Sequence, residues 1–313
     1  MSVRSRGSAA PLPGVPRRRP VDGRLVNRPP VPLDLPHLGA ALAGHGYLTA
    51  PGTDGEVPPW IGREALALFH AERAAVSVDA LTARRPDVDL ADAYQIQRTG
   101  TAFRIAAGAR PIGHKVGLTS EAMRQQMGID DPDSGILLDY MAVPSGGTVD
   151  TTALVSPLVE TEFAFRLGKD LAGADIAAAR AAVSEVMVAL EVIDTRYRGQ
   201  QLTLADSIAD NAACARIVTG PAVPFCSGLD LPERLLTLRI GGTPAASGMG
   251  REVLGDPLAA IAWLARRLAA FGTGLRAGDI VLAGSVHRAV PLRPGMLLEA
   301  DCDALPPVTA RAI

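Results

Sequence analysis

Apolar and polar residues alternate with two periods along this chain, one of 2 and one near 3.6, and together they divide it into strands and helices. The sharpest alternation is Val159-Glu160-Thr161-Glu162-Phe163-Ala164-Phe165. As a strand it turns Val159, Thr161, Phe163 and Phe165 to one face and Glu160 and Glu162 to the other. A second acidic strand, Leu190-Glu191-Val192-Ile193-Asp194-Thr195-Arg196, follows after a helix predicted from Ile176 to about Met187 with Asp175 as its N-cap. The run is strand–helix–strand and brings both acidic strands into one neighbourhood. Adjacent carboxylates repel unless a cation lies between them, and oxygen donors of this kind suit Mg²⁺ or Mn²⁺. A solvated strand face carrying surface glutamates is the other reading the spacing permits.

Helical stripes fall elsewhere. Leu66, Phe69, Ala74 and Val76 predict a helix within Ile61 to Leu81. Asp89 caps a second, with Leu90, Ala93, Ile96, Phe103 and Ala106 near one face up to Gly108. The best-marked helix opens on Asp256-Pro257, carries Leu258, Ile261, Ala265 and Leu268, and closes at Gly272. Short helices are predicted at His37 to Leu48 and Glu121 to Met127. Further strands are predicted around Lys115, at Ile136 to Leu138, Arg216 to Thr219, Leu235 to Ile240, and Ile280 to Ser285. Turns are expected at Asp130 to Gly135, Gly241-Gly242 and Ser247 to Gly250.

Two stretches invite chemistry. Lys115 lies in a short apolar strand between Gly113 and Gly117, so it either snorkels to solvent or enters a site as an acid, base or anion contact. Ala209-Asp210-Asn211-Ala212-Ala213 is small enough to line a pocket, or else is an Asx-turn leading into a packed strand.

Composition narrows the field. Hydrophobic residues make up 48% and aromatics 4%, so Ala, Leu and Val fill the core. A net charge of -2 gives no case for nucleic acid or an anionic membrane as partner. Three scattered cysteines suggest a reducing, cytoplasmic setting. No apolar run approaches the roughly 20 residues that span a bilayer. Residues 1–36 carry eight prolines and Arg17-Arg18-Arg19, and cannot bury enough apolar area to offset their ordering entropy.

Taken in order, Gly113-His114-Lys115-Val116-Gly117-Leu118-Thr119, Pro132-Asp133-Ser134-Gly135, Glu160-Thr161-Glu162, the Glu191 strand, Ala209-Asp210-Asn211-Ala212 and Ala277-Gly278-Asp279-Ile280-Val281-Leu282 form a pattern. With it the chain resembles the 2-keto-4-pentenoate hydratase and 4-oxalocrotonate decarboxylase family of the fumarylacetoacetate hydrolase superfamily, over roughly residues 85–300. The resemblance implies an α+β fold, with a mixed β-roll and outer helices. Residues 1–58 are then a disordered tail and linker, 59–110 a helical region and 111–313 the β-roll. It assigns a Mg²⁺ or Mn²⁺ ion to Glu160, Glu162 and Glu191, acid–base work to Lys115 and Asp133, and substrate contacts to Leu118, Asp210, Asn211 and Ser285.

The activity implied is hydration of a 2-hydroxy-2,4-dienoate to a 4-hydroxy-2-oxo acid. Decarboxylation of a 2-oxo-3-enedioate uses the same electron sink and is the alternative. A non-catalytic partner subunit with the same fold is a third. A homo-oligomer, and association with an enzyme of the same pathway, are implied as well. Departures from the family pattern at Ser134, Ala213, Ser285 to Arg288 and Asp303 to Pro307 bear on substrate identity more than on the metal.

Overall fold

The computed structural model describes residues 57–121, 124, 131–173, 175–199, 202–226 and 228–313. The predicted helix at His37 to Leu48, most of the predicted tail and most of the segment Glu121 to Met127 lie outside these. The described residues open with two long helices, α1 (Pro59–Ala74) and α2 (Leu90–Ala106), with a single helical turn, Leu81–Arg84, between them. Helix α1 has proline at its first turn, where the missing N–H costs nothing, and ends where Ala75 turns left-handed. At α2 the predicted cap forms as a reciprocal box, with Asp92 N donating to Asp89 Oδ1 at 2.8 Å.

Fourteen strands make up the two larger sheets in the described residues; apart from the short Val223–Pro224 and Val290–Pro291, which pair off the main path, twelve follow, interleaved with three α-helices. They are β1 (Pro111–Gly117), β2 (Asp133–Leu138), β3 (Ala142–Pro144), β4 (Thr148–Val149), β5 (Leu158–Leu167), helix α3 (Ile176–Ala182) and β6 (Val183–Ile193). Then come α4 (Leu204–Ala209), β7 (Cys214–Thr219), β8 (Leu235–Ile240), β9 (Thr243–Met249), α5 (Pro257–Ala270), β10 (Ile280–Ser285), β11 (Leu297–Cys302) and β12 (Leu305–Ala312). The larger sheet runs β2-β1-β10-β5-β6-β7-β3 and the smaller β9-β8-β11-β12-β4. Both are mixed: β10 pairs parallel with β1, and β12 parallel with β4, while β5 and β6 are antiparallel.

Between the sheets lies a core of Phe163, Val188, Leu190, Leu236, Leu238, Leu298 and Val308, all nearly or fully buried. Each such side chain contributes about 1.5–3 kcal/mol. A second cluster joins Ile61, Leu68, Ile96 and Phe103 to Tyr197, Ala205 and Ile208. Helices α1 and α2 therefore share a core with α4.

The structure departs from the sequence expectations in three places. The helix after Asp175 stops at Ala182, and Val183, Val186 and Val188 continue as β6. β-Branched residues fit a pleated surface better than a helix, and here the β5 ladder is waiting for them. Strand β2 begins at Asp133 instead of Ile136, because Asp133 and Ser134 pair with Gly117 and Val116. Ser247 to Met249 lies in β9 and does not turn. A Cβ on Gly248 would come within 1.8 Å of the Val286 carbonyl, so this glycine permits close packing.

Candidate metal and acid–base site

Glu160 stands opposite Glu191 in the β5–β6 register, and Glu162 shares its face. One carboxylate oxygen from each of the three lies within 4.8 Å of the others. The residues are 6%, 1% and 0% exposed, so the solvated face is excluded. Glu162 Oε2 accepts a hydrogen bond from Gly284 N at 2.7 Å. The approach depends on glycine: its φ is 108° and a Cβ there would lie 2.0 Å from Thr119 Oγ1. Glu162 Oε1 and both Glu191 oxygens are buried and accept no hydrogen bond.

Buried acceptors without donors are costly. Burial, with Glu191 alongside, pushes Glu160 up to about 8 and Glu162 well above the usual carboxylate range. A divalent cation reverses that preference and takes oxygen donors of this number and hardness. The three glutamates therefore fit a Mg²⁺ or Mn²⁺ ion.

Lys115, on β1, reaches the same place. It is 4% exposed, with Nζ 3.5 Å from Glu191 Oε2. Burial pulls its pKa down, but Glu191, Asp133 and Glu160 together outweigh burial and keep it an ammonium. Asp133, at the start of β2, is 2% exposed. Its Oδ2 accepts from Ser207 Oγ at 2.5 Å, and its Oδ1 accepts from no donor. A Cβ on Gly117 would lie 2.2 Å from Asp133 Oδ1 and 3.0 Å from Lys115 Nζ, so a larger residue here would displace both groups.

Lys115, Asp133 and Glu160 open on a cavity of about 370 Å³. Leu118 and Ser285 line it, as does Arg288. Leu118 is left-handed, at φ 57°, and Ser285 Oγ donates to the His287 carbonyl at 2.7 Å. Leu158, Ile193 and Leu202 give one apolar wall.

Asp210 and Asn211 are not brought to the cavity. Asp210 Oδ1 accepts from Arg196 Nε at 2.6 Å, and Oδ2 from Arg196 N at 2.7 Å and Thr195 Oγ1 at 3.1 Å. Burial raises the Asp210 pKa, while Arg196 opposes it. Asn211 bonds both backbone groups of Ile136, accepting from N at 2.8 Å and donating to O at 2.9 Å. Their work is to hold the turn Asn211-Ala212-Ala213, whose φ values are 55°, 52° and 55°. Ala212 and Ala213 from that turn form part of the cavity wall.

Sequence reasoning missed Ser207, Thr195 and Arg288, which also line the cavity. Polar residues scattered over loops carry no periodicity that singles them out. Asp194, beside the trio in sequence, turns away and accepts from Val155 N and Ser156 N, the latter at 2.6 Å.

Comparison with known proteins places this mixed sheet and its three buried glutamates within a known family. Residues 116–312 match the fumarylacetoacetate (FAA) hydrolase C-terminal family, and the chain belongs to it. Among its relatives, the 2-keto-4-pentenoate hydratase of Paraburkholderia xenovorans (strain LB400) is 35% identical over 77% of this chain and 90% of its own length. The 4-oxalocrotonate decarboxylase of Pseudomonas sp. (strain CF600) is 36% identical over 80% of this chain and 97% of its own. The solved 4-oxalocrotonate decarboxylase from Pseudomonas putida G7, complexed with magnesium and adipate, superposes with a TM-score of 0.78 at 33% identity. That match covers 81% of this chain and 97% of the other.

Proposed function

We propose that this chain is a metal-dependent hydro-lyase that adds water to a 2-hydroxy-2,4-dienoate and gives a 4-hydroxy-2-oxo acid. The observation that carries the reading is the convergence of three buried glutamates, with Glu162 Oε1 and both Glu191 oxygens accepting from no donor, on Lys115 and Asp133. Glu160, Glu162 and Glu191 hold Mg²⁺ or Mn²⁺. When bound, the ion would supply Lewis-acid chemistry at the 2-oxo end of the substrate.

The rest is done by the chain's own groups. Hydration puts protons on C5 and C3 and a hydroxyl on C4, while the enol proton leaves its oxygen. Lys115, kept as an ammonium by its carboxylate neighbours, can donate a proton. Asp133 Oδ1, buried and accepting from no donor, can take one from the attacking water. Leu118, Leu158, Ile193 and Leu202 receive the unsaturated carbon chain and keep bulk water from it. Ser285 lies where a substrate oxygen can reach it.

One observation favours a second reading, decarboxylation of a 2-oxo-3-enedioate. Arg288 is exposed and lines the cavity, where a guanidinium suits a second carboxylate. The test is to offer the purified chain 2-hydroxypenta-2,4-dienoate and a 2-oxo-3-enedioate with Mg²⁺. Loss of dienol absorbance without CO₂ is the expected result. CO₂ from the diacid, with no water added to the dienoate, selects the decarboxylase. The same proposal takes the chain as a cytoplasmic homo-oligomer that can associate with another enzyme of its pathway. No described helix is long and apolar enough to cross a membrane.

A further inference from the structure

We infer that Ser207 is a positioning residue, which fixes the Asp133 carboxylate for proton transfer, and that Gln97 sets the spacing that lets it do so. The inference rests on the proposed acid–base role of Asp133. The Ser207 hydroxyl donates to Oδ2 at 2.5 Å. That ties one oxygen and leaves Oδ1 on the side of Gly117 and Lys115, where it accepts from no donor. A carboxylate on its own turns broadly about its last torsion, and one short hydrogen bond removes that freedom.

The bond joins two separate elements, β2 and α4, so something must hold them in register. Gln97 of α2 does this. Its Nε2 donates to the Ser134 carbonyl at 2.7 Å and to the Ile208 carbonyl at 2.9 Å. Those carbonyls belong to the residues immediately after Asp133 and immediately after Ser207. Gln97 is 6% exposed, so water does not compete for its amide. The first turn of α4 is pinned as well, because Thr82 N and Oγ1 donate to Asp206 at 3.0 Å and 2.7 Å. The helical region thus holds the elements that carry Asp133 and Ser207 through four hydrogen bonds, and none of its residues lines the cavity.

The experiment uses the full chain with Mg²⁺ and whichever of the two substrates above it turns over faster. Ser207→Ala is expected to lower kcat about 10- to 100-fold with KM within about twofold, since a small misplacement of a proton-transfer group costs that much. Ser207→Thr keeps the hydroxyl and is expected to restore most of the rate. Gln97→Met, similar in volume but without donors, is expected to lower kcat in the same direction. Asp133→Asn is measured alongside. If it is inactive while Ser207→Ala turns over normally, the positioning role is wrong and the reading of Asp133 stands. If Asp133→Asn is fully active, the reading beneath the inference fails. A threonine variant no faster than the alanine variant overturns the inference too, as does a loss that falls on KM alone.

Discussion

Two groups of buried carboxylates flank the end of β6, and they are buried to the same degree. Glu160, Glu162 and Glu191 are no more than 6% exposed; Asp194 and Asp210 are 3% and 1% exposed. The difference lies in what faces them. Asp194 and Asp210 are surrounded by backbone N–H groups, Thr195 and the fully buried Arg196, whose Nη1 also donates to the Asp194 carbonyl at 2.6 Å. The glutamates face one another, with Lys115 as their nearest cation at 3.5 Å. A satisfied buried charge is architecture; an unsatisfied one is a socket for a cation. Burial alone cannot tell the two apart, whereas a count of donors can.

The largest effect expected from this contrast is structural. Asp210→Ala leaves Arg196 buried without its partner and should cost about 3–5 kcal/mol of stability. A shift in the urea midpoint measures it, and a shift under 1 kcal/mol would mean that Arg196 finds other acceptors. Next comes Glu162→Gln, which keeps shape but removes an anionic ligand. Turnover should fall at least about 100-fold, about 2.7 kcal/mol, with lost metal and a retained fold. Wild-type activity and metal content in that variant would undo the distinction between the two groups.

A third test concerns His114, which sits beside Lys115 and is buried like both groups but held neutral. Burial pulls its pKa down to about 4. The unfolded chain takes up a proton below its ordinary value near 6.5, and the folded chain does not until about 4. Stability is therefore lost as pH falls through that window, by about 2 kcal/mol between pH 6.5 and 5. Urea midpoints at the two pH values for wild type and His114→Gln check it, and the variant should show the smaller slope. The smallest effect concerns the socket itself. With the Glu160 carboxyl pushed up to about 8 and that of Glu162 raised as well, Mg²⁺ must displace at least one proton, so affinity should rise by at least about tenfold, about 1.4 kcal/mol, from pH 6 to 7. Calorimetric titration at both values gives the ratio, and equal affinities would show that the glutamates are already ionised.

What could be read from the chain follows the same division. A period of two made it legible that Glu160 and Glu162 share one face, whereas their grouping with Glu191 came from the family resemblance, since spacing alone also permitted a solvated face. Helix α5 was legible because its Asp256 cap, Pro257 and Gly272 are local signals. The role of Asp210 was not, because Arg196 lies 14 residues away and only the fold brings it within 2.6 Å. Ser207 and Gln97 were hidden for the same reason: their partners are 74, 37 and 111 residues distant. Where strand β6 begins was also out of reach, since an alanine-rich helix and a valine-rich strand meet there with no breaker between them.

The turn Asn211-Ala212-Ala213 carries a consequence for anyone who engineers this chain. Three successive left-handed residues without a glycine cost roughly 1–2 kcal/mol each, and the bonds of Asp210 and Asn211 hold them in place. The turn is a loaded spring whose far side is the cavity wall. Selection for thermal robustness should find glycine at Ala212 or Ala213, because it relaxes the spring without disturbing the core. Such variants would gain heat tolerance and loosen their grip on substrate, so melting temperature and turnover would drift in opposite directions at a position that supplies neither a metal ligand nor a proton.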